Sequence, residues 1–315
     1  MPEKELTKEK YLNRKRALEI SCYVVGAGAF GVFVRWLQVM MAFNEEGLVD
    51  KSFFNFAVPA FCIAAALVFL RFVDRLRLQR FYLPEDFYSA LRNEHKLFTL
   101  LRWVIGLVMS VGGVMLLVSA EVDKNAEFLQ ILAVLGIING LLFPFHLTSA
   151  NKPHAAAPAM SCFCAFWPIL VFCFWLICTY KINAINSVLW AYGPEIITHI
   201  IVINAFYYVA GFSFGKPNPW RCMFFCMMGA ALCIMVIADE RYMGMQLMYG
   251  ATAAMLTMYN WIMLENLRQH DEEEEEKLSD GFDRLDEAER AVRKRSQTGG
   301  VVTYPTDKIN SSEFK

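Results

Sequence analysis

The feature that most constrains this chain is the stretch 17–43, an almost uninterrupted apolar run entered through Arg14, Lys15 and Arg16. Roughly 20 apolar residues in a helix cross the hydrocarbon core of a bilayer, so this run is long enough to span it. Basic residues stay on the cytoplasmic side of a span, so the entrance orients every later crossing. The run is too long for a cleavable signal peptide and more like it follow, which reads as an uncleaved anchor.

Seven further runs lie at 53–73, 97–119, 126–149, 159–180, 195–214, 220–237 and 244–264. A water-soluble core absorbs one or two such segments but not eight, and 56% of the 315 residues are hydrophobic. The predicted fold class is an all-α, polytopic transmembrane helical bundle of about eight spans. Lys and Arg test that count. With the start placed inside, 24 of the 30 fall in inward segments and four in outward loops, leaving Arg35 and Arg102 within spans. Both termini are therefore expected to be cytoplasmic. The formal charge of -1 conceals this segregation and says little about partners.

The expected organisation is a cytoplasmic basic arm at 1–16, a membrane domain at 17–266 and a charged cytoplasmic tail at 267–315. In the longest inward loop, Leu83-Pro84-Glu85-Asp86 has the chemistry of a helix start, and Phe87 and Leu91 share a face. A short interfacial helix is expected there. In the tail, six acids at 271–276 precede Leu278, Phe282, Leu285 and Val292 at helical spacing. This predicts that span eight continues as a helix to about residue 295, followed by disorder from Ser296. A solvated face is the plain reading of the acid run; a surface for a protein partner is the sharper one.

Arg35 is the costliest residue in the spans, because an arginine deep in a membrane is penalised by about 2.5–3.5 kcal/mol unless it is paired or reaches an interface. It lies within reach of the outer interface beside Trp36, and of Glu45, Glu121 or Glu195 as partners. An anchoring role needs no substrate; an anion or gating charge does. Arg102, about one turn inside the inner interface, is expected to snorkel. Glu195 and His199 stand four apart and share a helix face, and with Asn204 they would form a polar track for a proton or cation. A capping glutamate and a histidine bonded to a neighbouring helix explain the same residues without transport. Asn139 and Asn260 are expected to hydrogen bond between helices. Gly136 with Gly140, Ala27 with Gly31 and Gly250 with Ala254 are expected to let helices pack closely.

Nine cysteines, an odd number lying in or beside apolar runs, make no disulfide framework. Cys162, Cys164, Cys222 and Cys226 sit at similar depth, yet residues two apart do not face each other and no histidine accompanies them. No metal or cofactor is assigned. Gly211-Phe212-Ser213-Phe214-Gly215 matches the G-x-S-x-G pattern of serine hydrolases. His199 lies about 21 Å away along the same helix and is excluded as its base, which leaves His146 or His154. No phosphate loop, dinucleotide fingerprint or zincin helix occurs, and nothing points to nucleic acid.

The expectation is a non-enzymatic integral membrane protein in a cell membrane, of the bacterial cytoplasmic type. It would act as a scaffold, accessory subunit or sensor through its tail. The alternative is a transporter or channel for a small solute or cation, built on Arg35, Glu195, His199, Asn204 and Asn139.

Overall fold

Inside lipid a backbone satisfies its own polar groups only as a helix or a closed barrel, and these long apolar runs become helices. The computed structural model describes residues 3–42, 52–93, 95–120, 126–151, 159–184, 188–239 and 242–269. Helix α1 is Glu3–Ala42; after a 3₁₀ turn at Ser52–Phe56 come α2, Ala57–Leu78, the strand β1, Phe81–Tyr82, and α3, Phe87–Leu91. Then follow α4, Lys96–Ala120; α5, Ala126–Ser149; α6, Ala159–Ile182; α7, Leu189–Ser213; α8, Pro219–Val236; and α9, Met243–Glu265. β1 pairs with a second short strand, β2, that starts at Arg268.

Seven of these helices are long and apolar enough to cross a membrane, and the chain is an all-α membrane bundle. The eighth long helix is α9, whose 23 residues suffice in length for a crossing but include Gln246, Tyr249, Thr252, Thr257, Tyr259 and Asn260. Its polarity follows from its position. It packs against α1, α4 and α8, and 15 of its residues are buried, against six of 22 in the peripheral α2. A helix wrapped by protein need not match lipid, and its many methionines fill irregular gaps. Around it α1, α8, α7, α6, α5 and α4 follow one another as neighbours, while α1 and α4 barely meet.

Two sets of contacts fix the direction of the helices. Asn13 Nδ2 donates to the Leu267 carbonyl at 2.7 Å, so the start of α1 and the end of α9 share one face. This is the face that carries the basic segments. At the opposite face the far end of α1 meets the α8–α9 turn through Arg35 and Asp239. An even number of crossings follows.

Several boundaries differ from those read in the sequence. The basic arm is helical from Glu3, extending α1 to 40 residues, about 60 Å at 1.5 Å per residue. Helix α7 starts at Leu189 and carries Pro194 inside it, so Glu195 is in the second turn and not at a helix start. Helix α9 stops at Glu265 and the chain is extended by Arg268, so span eight does not continue unbroken into the tail. The chain from Gln269 to Lys315 forms a separate unit, and the acid run with the amphipathic stretch after it lies outside the described residues. Asp86 caps α3 by accepting from the Ser89 amide, as expected, but Phe87, Tyr88, Ala90 and Leu91 are buried against α7 and α9. That helix is packed into the bundle, not laid on the interface.

Small residues set the closest approach. A Cβ added to Gly106 meets the Gly140 carbonyl, and one added to Gly140 meets the Gly106 carbonyl and Ser110 Oγ. Pro144 has no N–H for the Gly140 carbonyl, so that oxygen is free to lie against α4. Gly31 likewise abuts Phe61 and Met235. Gly250 does not follow the pattern, because a Cβ there meets nothing nearer than Ile237 Cδ1 at 3.8 Å. The expected close packing at Gly250 and Ala254 is replaced by open space.

Candidate functional site

The first turns of helix α7 carry a defect. Pro194 offers no N–H to the Trp190 carbonyl four residues earlier, and Arg35 fills the vacancy from α1: its Nη1 donates to Trp190 O at 3.2 Å and its Nη2 to Ala191 O at 2.5 Å. Nε donates to Asp239 Oδ1 at 2.7 Å, Nη2 also to Asp239 Oδ2 at 3.4 Å, and Nη1 to Gln38 Oε1 at 2.6 Å. All five N–H positions of the guanidinium are thus engaged. The side chain is 4% exposed. The partner is Asp239, not Glu195; Glu45 and Glu121 lie outside the described residues. The network extends through Gln38 Nε2 to Asn55 Oδ1 at 3.5 Å and through Gln246 Nε2 to the Asp239 carbonyl at 3.2 Å. Arg35 therefore joins α1, α7 and the α8–α9 turn.

Glu195 and His199 do share a face, and both are fully buried. What joins them is Tyr249 of α9, whose hydroxyl donates to Glu195 Oε1 at 2.8 Å and stands 3.0 Å from His199 Nε2. With the hydroxyl hydrogen given to the carboxylate, His199 Nε2 carries the hydrogen of the second bond. Trp175 of α6 closes the cluster, its ring 4.4 Å from that of Tyr249 and 5.1 Å from His199. Asn204 is not part of it, since its Nδ2 donates to Ile200 O of its own helix at 2.8 Å. A polar track running from Glu195 through Asn204 is therefore not formed.

Asn139 and Asn260 are buried, and neither side-chain amide has a hydrogen-bond partner among the described residues. The expected interhelical bonds are absent there. Arg102 turns back along α4, with Nη2 3.2 Å from Thr99 Oγ1, and is buried among its neighbours.

A second buried cluster forms nearer the basic face. His146 of α5, fully buried, sets Nδ1 2.7 Å from Tyr259 Oη and Nε2 3.1 Å from Ser213 Oγ. The serine of the G-x-S-x-G segment and one of its two candidate bases are thus in contact. The surroundings differ from those of a hydrolase. Ser213 ends α7, where the helix dipole is negative and disfavours a developing oxyanion. The nearby amides are committed: Gly215 N–H donates to Phe212 O and Lys216 N–H to Gly211 O, closing the helix with Gly215 at φ 68°. The glycine pattern is that of a helix end.

Cys222 and Cys226 touch each other. Cys162 turns away and donates to Ser213 O at 3.3 Å. Among the described residues no set of three His, Cys, Asp or Glu side chains is arranged to hold a metal ion.

Sequence reasoning missed Asp239, Tyr249 and Tyr259 as partners. Asp239, the last described residue after α8, lies at the depth of Arg35, a signal for the first. Two tyrosines ten apart in the most polar span were the available signal for the others. Comparison with family models, with curated proteins and with solved structures gives no match for this chain.

Proposed function

We propose that this integral membrane protein is a non-enzymatic platform, a scaffold, accessory subunit or sensor, that works by presenting the segment after α9 on its basic, cytoplasmic face. The observation that carries this reading is the saturation of Arg35. The residue best suited to meet an anionic solute or to act as a gating charge instead donates every N–H to the bundle. The base of the tail is held as firmly. Leu267 accepts from Asn13, Asn266 Nδ2 donates to Ala90 O and Arg92 O at 2.9 Å each, and Glu265 meets His95 at 3.3 Å. These contacts fix the last residues before the segment that would recruit a protein partner. A bacterial cytoplasmic membrane is the setting this reading assumes.

Affinity purification in mild detergent tests it, using the full chain against one ending at residue 269 so that the Asn13 and Asn266 contacts remain. The expected result is a stoichiometric partner recovered only with the full chain. Recovery of the same proteins by both forms, or of none by either, overturns the platform reading.

The Glu195–Tyr249–His199 cluster favours one second reading, passage of a proton or small cation, since ionisable groups buried in a membrane are functional by default. Reconstituted vesicles carrying an ion gradient separate the two. Flux that depends on the protein and is lost in Glu195→Gln supports passage; flux equal to empty vesicles excludes it.

A further inference from the structure

Between α1 and α4, where the ring of helices around α9 does not close, a groove of about 810 Å³ opens along α9. We propose that it holds one anionic phospholipid from the leaflet on the basic side. This assignment is independent of the function proposed above.

The groove is written into the sequence of α9. Gly250, Ala253, Ala254 and Thr257 recur at helical spacing and form its floor, and larger residues there would fill the space. The Thr257 hydroxyl donates to Ala253 O at 2.8 Å and leaves the floor without a free polar group. The walls, represented by Leu18 and Val25 of α1 and by Leu101 and Ile105 of α4, are apolar. Only one end is charged. Arg14 and Lys15 are exposed at that mouth, and neither forms an ion pair among the described residues. Glu19, the next acid on α1, does not line the groove. Tyr11 and Trp261 flank the same end, the aromatic types that settle at a membrane interface.

Length narrows the occupant. From Arg14 to Val25 the helix rises about 16 Å, half the roughly 30 Å hydrocarbon thickness of a bilayer. A groove with two cations at the headgroup level, apolar walls and an end near the midplane matches one lipid of one leaflet. A free phosphate would use the mouth and ignore the walls. A transmembrane partner helix would need the other leaflet as well.

The test quantifies lipid retained by the full chain purified in mild detergent, by native mass spectrometry and by exchange into nanodiscs of phosphatidylglycerol or phosphatidylcholine. About one anionic lipid per chain is expected. Two cations near a membrane surface are together worth roughly 30-fold in preference for an anionic headgroup. Arg14→Gln with Lys15→Gln should remove that preference while leaving a chain in the groove. Ala254→Phe should expel the lipid with both charges intact, and Gly250→Leu serves as a second filler if that variant does not fold. Equal retention of the two lipids by the wild type, or unchanged retention in both filled variants, overturns the proposal. So does thermal stabilisation by inorganic phosphate alone equal to that by lipid.

Discussion

Replacing Asp239 by Ala takes away the one carboxylate that meets Arg35 among the described residues and leaves the cation with Gln38 Oε1 and the Trp190 and Ala191 carbonyls. Breaking a buried pair on one side costs about 3–5 kcal/mol, because the surviving charge stays out of water. Side-chain exposures of 4% and 8% place this pair in that class, not among surface pairs. Since three acceptors remain, the expected cost for Asp239→Ala is at the lower end, about 3 kcal/mol, or roughly 150-fold in the folded-to-unfolded ratio. Arg35→Met should cost more, about 4–5 kcal/mol, since it strands a carboxylate and also unpairs the Trp190 carbonyl that Pro194 cannot serve. The double variant removes both charges and leaves chiefly that carbonyl orphaned. It should be less destabilised than the sum of the singles by about 2–3 kcal/mol. Equilibrium unfolding in mixed micelles, followed by helical circular dichroism, measures all four corners of the cycle. Additivity within about 0.5 kcal/mol would refute the idea that the pair clamps the bundle. Full stability with lost flux would move Arg35 back to transport.

Gly140→Ala should cost about 1–3 kcal/mol by forcing α4 and α5 apart, while Gly26→Ala, with nothing within 4 Å of the added carbon, should stay within about 0.5 kcal/mol; thermal unfolding in detergent compares them. Gly215→Ala should cost about 1 kcal/mol in the same assay, because its φ of 68° strains any residue with a Cβ. Ser213 should resist a fluorophosphonate probe at concentrations that label authentic serine hydrolases. Labelling lost in both Ser213→Ala and His146→Ala would establish the hydrolase that the helix dipole argues against.

The helices were legible because long apolar runs in a membrane become helices, and the basic count supplied the expected orientation. The misplaced start of α7 shows where that logic stops. Pro194 reads as the end of a loop because it cannot be served within its own helix, and the residue that rescues it, Arg35, is 155 positions away along the chain. Arg35 itself was legible as a problem, since its charge is local information. Its solution was not, because any of several acids at similar depth would neutralise it and only packing selects Asp239. The pairing of Glu195 with His199 followed from helical periodicity, whereas Tyr249, which bonds to both, belongs to another helix. Gly250 and Ala254 carry the same small-residue spacing as Gly136 and Gly140. The second pair meets a neighbouring helix and the first faces a gap, a difference that resides in the neighbour and leaves no trace in the motif.

Polar side chains in this bundle divide by what the backbone asks of them. Arg35, Asn13 and Asn266 donate to carbonyls freed at a proline or at an element's end, so the fold alone accounts for them. The Glu195–His199–Tyr249 and His146–Ser213–Tyr259 sets bond side chain to side chain and complete no helix. Apolar residues of equal volume would pack those sites at no greater cost, since buried polar networks gain little over well-packed hydrophobic ones. Glu195 and His199 lie in the first half of α7 and Ser213 at its end, with Val202 and Phe206 buried between them along the helix. Leu256→Ala, which opens a cavity where that side chain packs against Gly229 of α8, should cost about 2–5 kcal/mol while both polar sets keep their bonds, and thermal unfolding in detergent measures it.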